Sequence, residues 1–501
     1  MNRKDFSTDL NPLVRHLNKE PKDFTKDDII QFVKDNEIKM LNFRYTGGDG
    51  RLKALNFVIT DIAYLEQVLS HGERIDGSSL FTFIEAGSSD LYVIPQFRTA
   101  FLDPFTELPT LCLLCAYYTK DGKPLEISPQ FILKKAAQSF TAVTGMQFQV
   151  MGELEYYVIG EKESRFQATD QKGYHESSPF AKFEDFRMEA MHLMAQAGCL
   201  VKYGHSEVGN FTLGDKIYEQ NEIEFLITNV EDAANQLIIA KWIIRKLADQ
   251  YGLDVTFAPK ITTGKAGSGM HIHTCILKDG VNCMVTDAKL NDTAKTAIAG
   301  YMQCAPSLTA FGNRNPTSYF RLVPHQEAPT TVCWGDRNRS VLVRVPLGWT
   351  TNDDMVANEN PLETPVETDG SQKQTVEFRC PDGSADVYLL LAGLTVAARS
   401  GFEMENALDL AAKTYVDVNI FLAQHKDKVA SLNSLPASCW ESAEMLDKQR
   451  EIYERHNVFP AHIIDGIIKD LKKFNDKDIR KELAQNPEKM MEFVLTYFHC
   501  G

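Results

Sequence analysis

Four short segments of this chain place charged or imidazole side chains two residues apart around an apolar one: Glu153-Leu-Glu155, Glu222-Ile-Glu224, His271-Ile-His273 and Glu377-Phe-Arg379. Successive side chains alternate across a β-strand, so each pair shares one face while the apolar residue between them enters a core. A single pair of this kind marks nothing more than a half-exposed strand. Four of them suggest a curved sheet whose concave face is lined with carboxylates and imidazoles. Such a face is electrostatically untenable unless cations neutralise it. Carboxylate oxygens favour hard Mg²⁺ or Mn²⁺, and a histidine in the set suits Mn²⁺.

Two further features bear on phosphate chemistry. The segment Lys265-Ala-Gly-Ser-Gly-Met-His271 is a glycine-rich loop leading into a strand, a place where backbone can approach a ligand closely, although it is not a Walker A sequence. Arg321, Arg337, Arg339, Arg344 and Arg379 cluster downstream. Arginine forks fit phosphate and carboxylate oxygens, with a surface salt bridge the plainer reading of Arg337. An acidic metal face beside arginines is what phosphoryl transfer to a carboxylate requires, because the metals bridge phosphates and arginine stabilises the transition-state charge.

The elements that must hold these residues are legible in outline. Thr25 opens a helical pattern, TKDDIIQFVKDNEI, and MLNFRYTGG, DGRLKALNFVIT and LPTLCLLCAYY read as strands. This predicts a small α+β lobe ending near Tyr118, with Lys-Asp-Gly-Lys-Pro at 120–124 as the boundary. Helices and short strands then mix. From about Leu389 the pattern is mainly helical, with LLLAGLTVAARSGFEMENAL read as one helix. The polar stretch 351–375 reads as a long surface loop.

Bulk properties narrow the function classes. A length of 501 residues predicts more than one lobe, and 44% hydrophobic with 24% charged residues is the balance of a water-soluble globular protein. A net charge of −15 with no basic block argues against a nucleic-acid partner. No apolar run approaches the roughly 20 residues of a membrane helix, and the polar start MNRKDFSTDL predicts a cytoplasmic protein without a secretory leader. Cys112 and Cys115 form C-x-x-C inside an apolar strand, where residues three apart face opposite ways. They therefore read as buried packing rather than a metal or redox pair.

Asp76-Gly-Ser-Ser79, Gly152-Glu-x-Glu155, Gly267-Ser-Gly-Met-His-x-His273, Arg321-Leu-Val-Pro-x-x-Glu327-Ala-Pro, Asn338-Arg-Ser and Glu377-x-Arg-x-Pro-Asp382 occur in this order. The ordered set resembles the glutamine synthetase family, most nearly type I. The resemblance implies an α+β fold: a small N-terminal β-grasp-like domain over 25–120, and a catalytic domain over 121–501 with a curved antiparallel half-barrel sheet and flanking helices. It implies ATP-dependent amidation of glutamate by ammonium through γ-glutamyl phosphate. It also implies a homo-oligomer, a dodecamer of two hexameric rings whose active sites are shared between neighbours.

Carried over motif by motif, Glu155, Glu207 and Glu222 would hold one divalent metal, and Glu153, His271 and Glu377 a second on the nucleotide side. His273 and Arg344 would face ATP phosphates. Arg339 and Arg379 would meet the transferred phosphoryl group, and Arg321 and the Gly267 loop would hold glutamate. Glu327 would be the flap over the intermediate, and Asp76 with Tyr174 would form the ammonium site.

The chain departs from the family pattern at several places. Ala266 stands where Asn usually contacts the amino-acid substrate. Gln374-Thr375 replaces basic residues before Glu377, Asp386-Val-Tyr388 replaces Asn-Pro-Tyr, and a segment is inserted between Glu207 and Glu222. No copy of the tyrosine loop that some type I enzymes have adenylylated is evident, and Tyr415 reads as packing within a helix. Two alternatives remain: a γ-glutamyl amide ligase using a larger amine, and a non-enzymatic relative. The latter should have lost metal ligands, yet all six are present.

Overall fold

The computed structural model describes all residues except 1–4, 82–83, 85–88, 324–327, 349–353, 367–369, 426–429 and 484–485. Glu327 therefore lies outside the described residues.

The N-terminal sheet contains β1 (Met40–Thr46), β2 (Leu52–Val58), β3 (Glu73–Asp76), β4 (Asp90–Pro95), β5 (Phe101–Leu102) and β6 (Thr110–Tyr118), in the order β2-β1-β6-β4-β3 with β5 also on β6. β1 and β6 run parallel and the other pairs antiparallel. Helix Lys26–Asp35 covers the sheet and starts where Thr25 signals it. The Thr25 hydroxyl accepts from the Asp28 N–H, and the Asp28 carboxylate accepts from the Thr25 N–H at 2.9 Å, a reciprocal capping box. The two cysteines of β6 part company as alternation requires. Cys115 packs in the core of this lobe, with Leu41, Val68 and Tyr117. Cys112 packs in the core of the larger lobe, with Phe101 and Leu114.

The large lobe is built on β7 (Gln147–Glu161), β8 (Val201–Leu213), β9 (Lys216–Phe225), β10 (Thr228–Asn229), β11 (Asp254–Thr256), β12 (Met270–Lys278), β13 (Val281–Asn282), the small hairpin β14 (Val285–Thr286) and β15 (Lys289–Leu290), β16 (Trp334–Asp336), β17 (Val343–Val345) and β18 (Val376–Phe378). The main path is β16-β17-β18-β12-β7-β9-β8, curled into a half-barrel and antiparallel except between β16 and β17. Helices Pro129–Thr144, Val230–Tyr251, Asp292–Gly312 and Val387–Phe402 pack behind it. The β7 residues that point toward them, Leu154, Tyr156 and Val158, are fully buried, each stabilising by about 2 kcal/mol through area removed from water.

Four expectations are refined. The helix read over 389–408 is two helices, Val387–Phe402 and Ala407–Thr414, meeting at 114°. Tyr415 follows the second helix in extended backbone and packs edge-on against Trp334. The polar stretch from 351 holds a short helix, Met355–Glu359, and a 3₁₀ turn, Gly370–Lys373. The segment between Glu207 and Glu222 is a hairpin whose two-residue turn places Gly214 at φ 61°, a left-handed conformation that glycine adopts freely. No single helix is long and apolar enough to cross a membrane.

Candidate active site

Strand register gathers the sequence pairs into rows. Glu377 on β18 opposes both Arg344 on β17 and His273 on β12. His271 on β12 opposes Glu153 on β7, which opposes Glu224 on β9, which opposes Tyr203 on β8. Glu155 opposes Glu222, which opposes His205. Directly opposed residues share a face, so these side chains converge on the concave side. All of them except His273 and Glu224 line a cavity of about 610 Å³, together with Glu207, Tyr174, Gln171, Gln220, Ala266, Gly267, Arg321, Arg339 and Arg379.

The carboxylates are held by specific donors. Glu153 lies between two imidazoles, with His271 Nδ1 at 3.0 Å from Oε2 and His273 Nε2 at 2.8 Å from Oε1. Glu377 Oε1 is 3.5 Å from His271 Nδ1 and accepts from Arg379 Nε at 3.0 Å, while its Oε2 accepts from Arg344 at 2.9 Å. Glu155 Oε2 accepts from the Gly269 N–H at 2.7 Å and from Gln220 Nε2 at 3.1 Å. Glu222 Oε1 is 3.2 Å from His205 Nε2. A Cβ at position 269 would lie 2.4 Å from Arg321 Nη2 and 2.8 Å from His271 Nε2, so only glycine lets this loop approach the site.

Burial is the largest influence on these groups, and their partners decide the outcome. Burial opposes ionisation of Glu153, but His273 and His271 overcome it and hold the carboxyl well below its usual range. Burial likewise opposes ionisation of Glu377, which Arg379 and the histidines pull down. Glu222 has no such help. Burial, then Glu153, Glu155, Glu207 and Glu224, push its carboxyl well above the normal value. Burial lowers the imidazole of His205.

Carboxylate oxygens and imidazole nitrogens are the donor set of Mg²⁺ or Mn²⁺. Three groups bring such atoms within 4.8 Å of one another: Glu153, Glu222 and His271; Glu153, His273 and Glu377; and His205, Glu207 and Glu222. Glu224 Oε2 is buried without a hydrogen-bond partner. The arrangement fits divalent cations, which would relieve the repulsion raising Glu222.

Other predicted residues are placed differently. Arg321 is buried, its guanidinium bound to the carbonyls of Cys380 at 2.9 Å and Arg379 at 3.2 Å. His273 stands behind the cavity wall with both nitrogens engaged, Nδ1 meeting Thr375 Oγ1 at 2.8 Å. The threonine at the departure before Glu377 thus orients a histidine. Tyr174 stands at the mouth, stacked on His175 at 4.2 Å, with Arg339 over its outer face. Asp76 is exposed at the end of β3 and is not part of the cavity of its own chain. Hydrogen bonds from Ser78, Ser79 and Ser89 lower its carboxyl to about 2.

Residues 126–490 match the glutamine synthetase catalytic domain, and 37–120 match the beta-Grasp domain of the same family. The chain belongs to the glutamine synthetase family. It is 30% identical over 446 residues to the glutamine synthetase of Clostridium saccharobutylicum, covering 86% of this chain and 91% of the relative. It is 28% identical to that of Pyrococcus furiosus, covering 92% and 96%. In fold it is similar to the cryo-EM structure of Plasmodium falciparum glutamine synthetase, with a TM-score of 0.73, 18% identity and coverage of 90% and 96%. It is also similar to apo GmaS, with a TM-score of 0.70, 19% identity and coverage of 89% and 95%. The family is one of ligases, and the half-barrel with its acidic face is its architecture.

Sequence reasoning did not single out His205 and Gln220, both at the cavity wall of this family member. Gln220 holds Glu155, the Gly267 carbonyl at 3.0 Å, Ser268 Oγ at 3.2 Å and the Gly209 N–H at 3.1 Å. Its signal was present: Gln220, Glu222 and Glu224 form one alternating row.

Proposed function

We propose that this chain is a glutamate–ammonia ligase, joining ammonium to the γ-carboxylate of glutamate with cleavage of ATP to ADP and phosphate. One observation carries the reading: Glu153, Glu155, Glu207, Glu222, His271 and Glu377 share one cavity face, with Arg344 and Arg379 bound to Glu377 at its rim.

Two or three Mg²⁺ or Mn²⁺ ions, when bound, would neutralise that face and supply Lewis-acid stabilisation of the transferring phosphoryl group. Glu155, Glu207 and Glu222 would hold one, and Glu153, His271 and Glu377 another. Arg344 lines the cavity, and with one terminal nitrogen on Glu377 at 2.9 Å its guanidinium would still offer donors to a phosphate oxygen. In the first step the γ-phosphoryl group passes from ATP to a carboxylate oxygen of glutamate, with Arg339 and Arg379 stabilising the charge. In the second, the amine nitrogen attacks the acyl carbon and phosphate leaves. Asp76, ionised at neutral pH, would attract the cation and take its proton, and Glu327 would shield the acyl phosphate from water. Since Asp76 lies outside the cavity of its own chain, the reading requires Asp76 of a neighbouring copy, in a ring assembly such as the dodecamer.

A second reading, amidation by a larger amine, is favoured by one feature. Tyr174 and Tyr203, 48% and 45% exposed, cluster with His175 and His205 beside Glu207 and Glu222, a surface suited to an alkylammonium ion as well as to ammonium. Phosphate release with ATP, Mn²⁺ and glutamate, compared across ammonium, methylamine, ethylamine and putrescine, separates the two. Turnover with ammonium supports the first. No turnover with ammonium, alongside turnover with an alkylamine, replaces it with the second.

A further inference from the structure

A second cavity, about 800 Å³, lies behind the outer edge of the half-barrel, between β15, β16, the end of β17 and helix Ala407–Thr414. Its size is that of a small-molecule site. The two cavities back onto the same strand: Arg344 faces the first, and Val345, its neighbour on the opposite face of β17, lines the second.

Its wall is amphipathic. Leu290, Val345, Pro346, Leu347 and Leu408 supply apolar surface, with Leu347 71% exposed. Lys289, Lys295 and Arg337 also line it, and none of them has an ion-pair partner among the described residues. Of the two carboxylates present, Asp336 accepts the Tyr415 hydroxyl at 3.0 Å, and Asp292 sits in the first turn of helix Asp292–Gly312. Arg337 is held at φ 54°, its N–H bound to the Val345 carbonyl at 2.8 Å, a left-handed conformation unfavourable for an arginine. Cations left unpaired around an apolar wall call for a ligand with an anionic group on an apolar body.

We propose that this cavity is an effector site for a small amphipathic anion, a carboxylate or phosphate carried on an aromatic or aliphatic body. Its link to the first cavity is short. Ligand contact with residues 345–347 bears on Arg344 and, through Glu377, on the site. The buried Gln374 side chain ties the Pro346 carbonyl at 3.2 Å to the segment leading into β18, where Thr375 holds His273.

Calorimetric titration of the purified assembly with phenylacetate and, separately, phenyl phosphate tests the proposal and tells the two anions apart. At least one should bind with a Kd at or below about 1 mM. Binding should weaken about ten-fold in Lys295→Gln and in Arg337→Gly, which also relieves the backbone, and should be blocked in Ala412→Phe, which fills the cavity without altering charge. Arg344→Gln should titrate like the parent. At saturation the probe should change the ATP KM by about three-fold or more, an effect absent in Ala412→Phe and shifted to about ten-fold higher probe concentration in Lys295→Gln. Failure of both probes to bind, binding indifferent to all three cavity variants, or binding lost only in Arg344→Gln would overturn the site. A bound probe without effect on the ATP KM would overturn its effector role. Only that kinetic arm rests on the ATP reading of the first cavity; a chain without ATP turnover would fail that reading and leave the titration standing.

Discussion

Arg344 and Glu377 oppose one another on β17 and β18, joined at 2.9 Å, and the same glutamate accepts Arg379 Nε at 3.0 Å. Glu377 is thereby fixed as a carboxylate, and Arg344 keeps donors for an incoming anion. Replacing Arg344 by Gln removes a charge-assisted contact worth about 1.5–3 kcal/mol. The ATP KM is expected to rise roughly ten- to a hundred-fold while the glutamate KM stays within about two-fold. Equal rises in both would show that Arg344 shapes the whole site rather than the nucleotide end.

Gln220 orients Glu155 through one of its oxygens and leaves the other, 3.8 Å from His271 Nε2, toward the cavity. Gln220→Leu keeps much of the volume and removes the donor. Groups that orient metal ligands typically contribute ten- to a hundred-fold in affinity, so Mn²⁺ binding followed by paramagnetic resonance is expected to weaken by about that factor. Unchanged Mn²⁺ affinity would mean that Glu155 is not a ligand or needs no orientation.

Ala266 uses both its backbone groups. Its N–H donates to Gln171 Oε1 at 2.8 Å, and its carbonyl accepts the Tyr157 hydroxyl at 2.9 Å. Its methyl offers a substrate nothing. With the loop held on both sides, Ala266→Asn should present an amide to the cavity and lower the glutamate KM by roughly ten-fold. A higher KM would show that Gln171 and Lys265, also at the cavity wall, already occupy that role. A KM unchanged for glutamate and for other acids would remove position 266 from substrate recognition.

Asp76 of one chain and the carboxylates of another should complement. Mixed assemblies of Asp76→Asn and Glu155→Gln chains are expected to recover up to about a quarter of parental activity at equal mixing, since each defect occupies a different half of a shared site. Verified mixed assemblies with no recovery would place Asp76 outside the amine site.

Lys241 is buried in the helix behind β7, donating to the Gly383 carbonyl at 2.8 Å. Burial first, then Arg245, lowers its pKa from 10.5 to about 7. Below pH 7 both folded and unfolded chains carry the charge, and the penalty is fully present. Between pH 7 and 10.5 the unfolded chain binds the proton and the folded chain does not, so the contribution of Lys241 to stability rises with pH across that window, by on the order of a few kcal/mol. Lys241→Met should flatten this slope in denaturant melts at several pH values, and a slope that survives the substitution would contradict the assignment.

The sequence alone determined which side chains share a face. Alternation put Glu153 with Glu155 and His271 with His273, and sent Cys112 and Cys115 into different cores. It also located the cap at Thr25 and the glycine loop before His271, because caps and turns are local chemistry. Tertiary structure decided the rest. Strand order and register are set by long-range packing, so only the fold could show that His205 opposes Glu222 and that Tyr203 opposes Glu224. The aim of Glu207 depends on an irregularity in β8 between Ser206 and Asn210, fitted around Gly209, where a Cβ would lie 2.1 Å from Tyr157 Oη. The exclusion of Asp76 from the cavity of its own chain likewise follows from how two lobes pack, and nothing in the local residue pattern encodes it.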